Sequence, residues 1–345
     1  MFKKFFANSG PFRVSPGWLT ISYILLAIWT VIALFPLYWL LTTAFKAPAD
    51  VDNGPKFIPW VDFQPTTAAW DYLLNDPSAG NIIAHPYLNT VVVGTTSAFI
   101  SLVLGASAAY ALMRFKYEIK VGYIFSAIGC LLLFILLTSS GLLWYLAAVI
   151  ALAIFLLITQ TVGRRFRRSM KNNDISFWLI SQRMLPPVAV IIPIYIMFQQ
   201  LKMLDSPITL IICYCAVNFP LGVWFMRDYL ENIPIELEES AFIDGASRYQ
   251  VLTNIVVPLA APALVATFLI ILVFAWNEYT LALFLSAGPR SQTMPLLVTA
   301  QNATRGPQWW NISVLVVVMI IPLIAAAIVL ERFIAKGLLV GAVKS

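Results

Sequence analysis

Long apolar runs fill most of this chain, and the places where they break decide what it can fold into. A hydrocarbon core about 30 Å thick is crossed by roughly 20 apolar residues in helical form. On that measure the sequence divides into runs near 18–45, 85–112, 121–138, 142–163, 176–200, 207–227, 260–286 and 311–331. The stretch 121–163 is decisive, because as one straight helix at about 1.5 Å per residue it is roughly twice the bilayer thickness. Ser139, Ser140 and Gly141 interrupt it, and such a cluster turns a chain, so a transmembrane helical hairpin is predicted there. The resulting expectation is an all-α polytopic membrane protein of eight spans with both termini on one side.

Composition agrees, since a chain that is 60% hydrophobic and 11% charged has lipid as its main solvent. The net charge of +6 is read as membrane topology and not as nucleic-acid binding. Roughly sixteen Lys and Arg residues fall on the side of the termini against about five opposite, which places both termini in the cytoplasm. The densest cluster is Arg164, Arg165, Arg167, Arg168 and Lys171, and Lys3, Lys4 and Arg13 precede the first run. That run, from Trp18, is too long for the core of a cleaved signal peptide and is expected to remain as a span. Cys213 and Cys215 lack the spacing and partners of a metal site. No phosphate-binding Gly-x-x-x-x-Gly-Lys-Ser/Thr loop occurs, so no ATP site or other cofactor is expected on this chain.

Between two apolar runs lies a charged island, residues 236–258. Pro234 sets a helix-compatible angle, and Glu236, Glu238 and Glu239 place negative charge at the positive end of a helix dipole. Asp244 and Gly245 supply a stop, since glycine accepts the left-handed conformation that terminates helices. Pro258 is expected to end a second segment before the next span. The pattern describes a helix, turn, helix block joined to a membrane helix; an amphipathic loop helix lying on the membrane is the alternative.

Glu239, Ala241, Gly245, Ile255 and Pro258 fall at the positions of the EAA motif, with Ser240 and Val257 replacing the commoner alanine and leucine. In this respect the chain resembles the permease subunits of ATP-binding-cassette importers, of the carbohydrate-uptake, maltose-permease G type. The stretches Leu88-Asn89-Thr90, Gly105 to Phe115, Gln182-Arg183-Met184 with Pro186-Pro187, Asn218-Phe219-Pro220, Trp276-Asn277-Glu278 and the ending Lys336 to Lys344 extend the likeness over nearly everything outside 117–171. The resemblance implies a six-helix core with the hairpin inserted into it. It divides the chain into a cytoplasmic amino terminus (1–17), two core spans (18–116) with an external loop at 46–80, the inserted hairpin (117–171), the remaining core spans (172–335) and a cytoplasmic tail (336–345). It also implies the partners: a second permease subunit, two ATPase subunits that carry ATP and Mg, an extracytoplasmic solute-binding protein, and a sugar, oligosaccharide or polyol as substrate, in a bacterial plasma membrane. The ATPase-docking residues it implies are Glu239, Ser240, Ala241, Asp244, Gly245, Ile255 and Pro258.

Ionisable groups within spans are costly and mark polar pathways. Arg183, Asn218, Trp276, Asn277 and Glu278 are the candidates for a translocation path, with Trp224 and Tyr279 as further aromatic faces; helix-to-helix hydrogen bonding is the alternative role for each polar group. Small residues at Ser97, Ser101, Gly105 and Ala109 mark a close-packing face. Trp60 and Trp70 in the external loop suit either the headgroup interface or a delivery protein. The inserted hairpin suits either lipid-facing packing or a regulatory contact. Two competing functions stand: an ion-coupled secondary transporter with Glu278 as coupling group, and a membrane enzyme relying on His85 as general base.

Overall fold

The computed structural model describes residues 16–75, 80–161, 169–286, 288–302 and 306–342. The arginines at 164, 165, 167 and 168, the first fifteen residues, Asp76 and the last three residues lie outside them. The helices in chain order are α1 (Pro16–Thr43), α2 (Pro48–Asp52), α3 (Ala68–Leu74), α4 (Ala84–Arg114), α5 (Val121–Ser139), α6 (Trp144–Thr161), α7 (Asn172–Ser181) and α8 (Pro187–Gln200). They continue as α9 (Pro207–Glu231), α10 (Glu236–Ile243), α11 (Arg248–Val251), α12 (Val257–Trp276), α13 (Thr280–Leu285), α14 (Met294–Ala300) and α15 (Trp309–Ala342). Two compact units result, one from residues up to Leu88 with Gln292–Ile324, the other from Asn89–Ser291 with the residues from Ala325 onward.

Among the described residues six helices are long and apolar enough to cross a membrane: Gly17–Thr43, Ala84–Arg114, Val121–Ser139, Pro207–Glu231, Arg248–Trp276 and Trp309–Glu331. Three expected spans differ. The run at 142–163 yields a shorter apolar helix, Tyr145–Gln160. The run at 176–200 is not one straight span, because α7 with a following 3₁₀ turn (Gln182–Met184) meets α8 at a 91° bend. The cause is Pro186-Pro187: proline disfavours helical geometry in the residue before it and lacks an N–H, and both Leu185 and Pro186 are extended. The expected span at 260–286 also breaks, since α12 stops at Trp276 and the short α13 follows.

In the first unit, α1 carries an almost wholly exposed apolar surface. Beyond it, Lys46 is 2% exposed and lies over the rings of Trp39 (4.1 Å) and Phe63 (5.1 Å). The loop is tied by Asp62, whose carboxylate accepts the N–H groups of Phe57 and Ile58 at 2.8 Å each. Trp60, at φ +63° and exposed, projects from this loop, whereas Trp70 stacks on Phe45 at 5.6 Å.

In the second unit, α4 and α9 cross where a Cβ on Gly105 would lie 2.8 Å from Gly222 backbone. Ser97, Ser101 and Ala109 are fully buried, and Ser101 Oγ donates to the Cys215 carbonyl at 3.3 Å. The small-residue face of α4 is therefore a backbone-to-backbone helix contact, as expected in lipid where association depends on close packing.

The hairpin helices α5 and α6 pack on each other, and their turn is a Schellman closure: Gly141 (φ +91°) donates to Thr138 and Leu142 to Leu137. At its base the all-α expectation is modified by a two-residue antiparallel ribbon, β1 (Ile119–Lys120) with β2 (Ser169–Met170). Asn172 closes the join, its Nδ2 donating to the carbonyls of Leu112 (2.5 Å) and Phe115 (2.6 Å) while its Oδ1 accepts Tyr117 N–H (2.8 Å).

Candidate functional site: the 236–258 block and the bend at Arg183

The charged island folds as a helix, turn, helix block. In α10 the acidic residues occupy the first turn, where the helix dipole favours them. Its end is a Schellman motif: Gly245 N–H donates to Phe242 O (3.1 Å), Ala246 N–H to Ala241 O (2.9 Å), and Gly245 sits at φ +85°. The next helix starts on a capping box absent from the sequence reading, with Gln250 N–H donating to Ser247 Oγ (3.4 Å) and Ser247 N–H to Gln250 Oε1 (2.8 Å). The pattern Ser-x-x-Gln was its signal.

One expectation for the block is corrected. Pro258 does not end the second segment. The helix runs from Arg248 to Trp276 without a break, with a π-helical turn at Leu252–Val256 just before Pro258, which occupies the first turn of α12. Proline removes one helical donor and its ring crowds the carbonyl four residues back; the widened π turn absorbs that conflict. The block's second segment and the membrane helix are thus one continuous helix, with α10 joined to it through the Gly245 turn.

A buried ion pair fixes the block to the end of α4. Arg114 Nε donates to Glu238 Oε1 (2.6 Å), Tyr110 OH to Glu238 Oε2 (2.7 Å), and Arg114 Nη2 to Ile233 O (3.0 Å). Glu238 is 3% exposed. Around it Ala241, Ala246 and Leu252 pack on a core that includes Leu112, Met226, Leu230, Val251 and Val256. The residues predicted to dock a partner divide accordingly: Glu239, Ser240, Asp244, Gly245 and Pro258 are exposed, while Ala241 and Ile255 are half-buried. Sequence reasoning passed over the most exposed apolar groups of the block, Ile243 (86%) and Tyr249 (75%). They flank the Gly245 turn and give the block an apolar contact face.

Of the candidate path residues, the structure brings Arg183 and Asn218 together. Arg183 Nη1 donates to Val217 O (2.9 Å) and to Asn218 Oδ1 (3.2 Å), and its guanidinium lies 4.7 Å from the Phe274 ring centre. With Trp224 and Met184 it lines a cavity of about 220 Å³ beside the 91° bend. Irregular backbone at membrane depth is tolerated where it lines such a cavity. The other three have local roles. Trp276 is buried against Gly94, Asn277 Nδ2 donates to Val273 O (2.8 Å) at the end of α12, and Glu278 Oε1 accepts Leu281 N–H (2.9 Å) at the start of α13.

A helical fold with several helices long and apolar enough to cross a membrane, one of them continued into a polar helix, turn, helix block, defines a polytopic membrane protein with an exposed contact face. Comparison with known proteins specifies which: the chain belongs to the family of binding-protein-dependent transport system inner membrane components, whose model matches residues 161–340. Similar proteins include a putative ABC transporter permease from Caldicellulosiruptor sp., 27% identical, covering 93% of this chain and 96% of that one. Another is the trehalose/maltose transport system permease protein MalG of Thermococcus litoralis, 26% identical over 94% and 96% of the two chains. Among solved structures, a bacterial ABC transporter involved in import of the acidic polysaccharide alginate contains a chain that superposes with a TM-score of 0.59 at 20% identity, covering 94% and 99%, and so shares the fold.

Proposed function

We propose that this chain is the permease subunit through which a sugar, oligosaccharide or polyol, handed over by an extracytoplasmic binding protein, crosses the membrane by alternating access. The work is done by ATP hydrolysis, with Mg, on two partner ATPase subunits. A second permease subunit completes the pore. Eight spans with cytoplasmic termini are part of this reading: the bent α7–α8 pair counts as one span and α6 as the returning arm of the hairpin. The Lys and Arg bias supports that orientation, and the carbohydrate substrate rests on family likeness, including the trehalose/maltose relative.

The observation that carries the mechanism is the unbroken helix from Arg248 to Trp276. A partner that grips Glu239, Ser240, Asp244 and the exposed Ile243 and Tyr249 holds a handle that is rigid with α12, and through Arg114–Glu238 also with α4. Displacement of the grip is thereby delivered to two membrane helices as rigid-body motion. Substrate passing the bend meets Arg183, Asn218 and the Trp224 face. The ion-coupled alternative rests on a single intramembrane carboxylate, Glu278, which accepts the Leu281 N–H at the start of α13, and it leaves the 236–258 block without a role.

The test is uptake of a panel of labelled sugars and polyols into vesicles holding the assembled transporter, with ion gradients clamped. Uptake that stops when ATP is withheld supports the proposal. Uptake driven by an ion gradient without ATP overturns it.

A further inference from the structure

In the first compact unit, a cavity of about 860 Å³ lies beside the end of α1 and the start of α15. Its walls are Phe35, Trp39, Phe57 and Trp309, of which Phe35 and Trp309 are about half exposed (47% and 53%). Three polar residues line it as well, Lys46, Thr43 and Ser313, all almost fully buried (2%, 3% and 4% exposed). Thr43 Oγ1 has no hydrogen-bond partner among the described residues.

The charge on Lys46 is only partly answered. Its Nζ donates to the Lys56 carbonyl at 2.7 Å and faces the rings of Trp39 and Phe63, which leaves donor capacity in an ammonium with three N–H bonds. The nearby carboxylates are engaged elsewhere: Asp50 pairs with Lys56, and Asp62 accepts the Phe57 and Ile58 N–H groups. A buried cation with no carboxylate in direct contact is costly, and here it lines a cavity whose other walls are mostly aromatic and aliphatic.

We propose that this cavity binds an anionic phospholipid, its phosphate meeting Lys46 Nζ and Thr43 Oγ1 while an acyl chain lies against Phe35, Trp39 and Trp309. Apolar walls around a few convergent polar groups are the usual form of a small-molecule site, and a cavity at the end of an exposed apolar helix is filled from the membrane. The site is separate from the docking block and the Arg183 bend, and it stands whatever the chain transports. Burial lowers the Lys46 pKa, with Lys56 adding to this and Asp50 and Asp62 opposing it.

The test uses the full-length chain with its co-purifying partners in nanodiscs of phosphatidylcholine containing phosphatidylglycerol. Native mass spectrometry counts the phosphatidylglycerol that is retained. Lys46→Gln is expected to weaken retention about tenfold or more, the loss of a charge-assisted bond. Trp309→Ala, on the exposed wall, is expected to weaken it less and serves if Lys46→Gln fails to fold. Exposed Lys202→Gln is expected to change nothing. Equal retention in wild type, Lys46→Gln and Trp309→Ala overturns the proposal. So does displacement of the lipid by inorganic phosphate alone, or a photo-crosslinker at position 309 that captures a helix of another subunit in place of lipid.

Discussion

Replacing Glu238 with alanine tests the block's attachment most sharply. The carboxylate is 3% exposed and its partner Arg114 11%, so the substitution leaves a guanidinium in a largely dry site with one remaining bond, to Ile233 O. Removing one partner of a buried pair costs about 3–5 kcal/mol. Tyr110 also loses its acceptor, at about 1–3 kcal/mol if the hydroxyl finds no substitute. The two penalties overlap because they arise in one network. Taking about 3 kcal/mol as the local loss, opening of residues 236–247 rises by about two orders of magnitude, at 1.36 kcal/mol per tenfold. Hydrogen exchange on α10 amides in the reconstituted protein reads this directly, with α5 and α6 as an internal control. The paired change Arg114→Met with Glu238→Leu removes both charges and is expected to recover much of the protection. If Glu238→Ala leaves α10 exchange at the wild-type rate, the pair does not hold the block and the argument for force reaching α4 fails.

Gly245 has open space where a Cβ would sit but a φ of +85°. Gly245→Ala is therefore expected to cost only backbone strain, roughly 1–2 kcal/mol, and Gly245→Asp to leave the chain inserted while releasing the ATPase; normal ATPase retention in Gly245→Asp refutes the docking role. Gly105→Ala forces a methyl to within 2.8 Å of Gly222 backbone and is expected to lower stability by about 1–3 kcal/mol, measured as thermal unfolding in detergent. The Asp62 pKa is lowered by the N–H groups of Ile58 and Phe57. Its stabilising effect is present above the unfolded carboxyl pKa and is lost as pH falls through the lowered folded value, so protease cleavage near Trp60 is expected to increase only in that acidic range, and not in Asp62→Asn, which is cleaved at neutral pH as well.

Features set by a few neighbouring residues were legible in the sequence. Ser139-Ser140-Gly141 announces a turn because nothing else interrupts an over-long apolar run, and Gly245 after an acidic helix start announces a left-handed stop. The small residues of α4 announce a close crossing, though its partner Gly222 is 117 positions away and carries no local mark. Other features depended on conflicts between local preferences. Pro258 reads as a terminator, yet a π turn lets the helix pass through it, and Pro186-Pro187 lies inside an apolar run read as one span, yet it bends the chain by 91°.

The site was read unevenly for the same reason. Glu236, Glu238 and Glu239 look alike as an acidic first turn; only Arg114 and Tyr110, more than a hundred residues earlier, select Glu238 for burial. Arg183 and Asn218 were singled out separately as costly groups in apolar runs, and that cost is what brings them together. Trp276, Asn277 and Glu278 are adjacent in sequence but are drawn into packing and helix capping by the break after α12.

The central claim is that the 236–258 block is the handle by which separate ATPase subunits drive this permease. Its most direct test is purification of the tagged chain from its native membrane in mild detergent, with every co-purifying protein identified and counted. A second permease and two ATPase copies are the expected result, with the ATPase copies lost in Gly245→Asp and Glu238→Ala and the second permease retained. Recovery of the chain alone, active in vesicles without ATP, contradicts it.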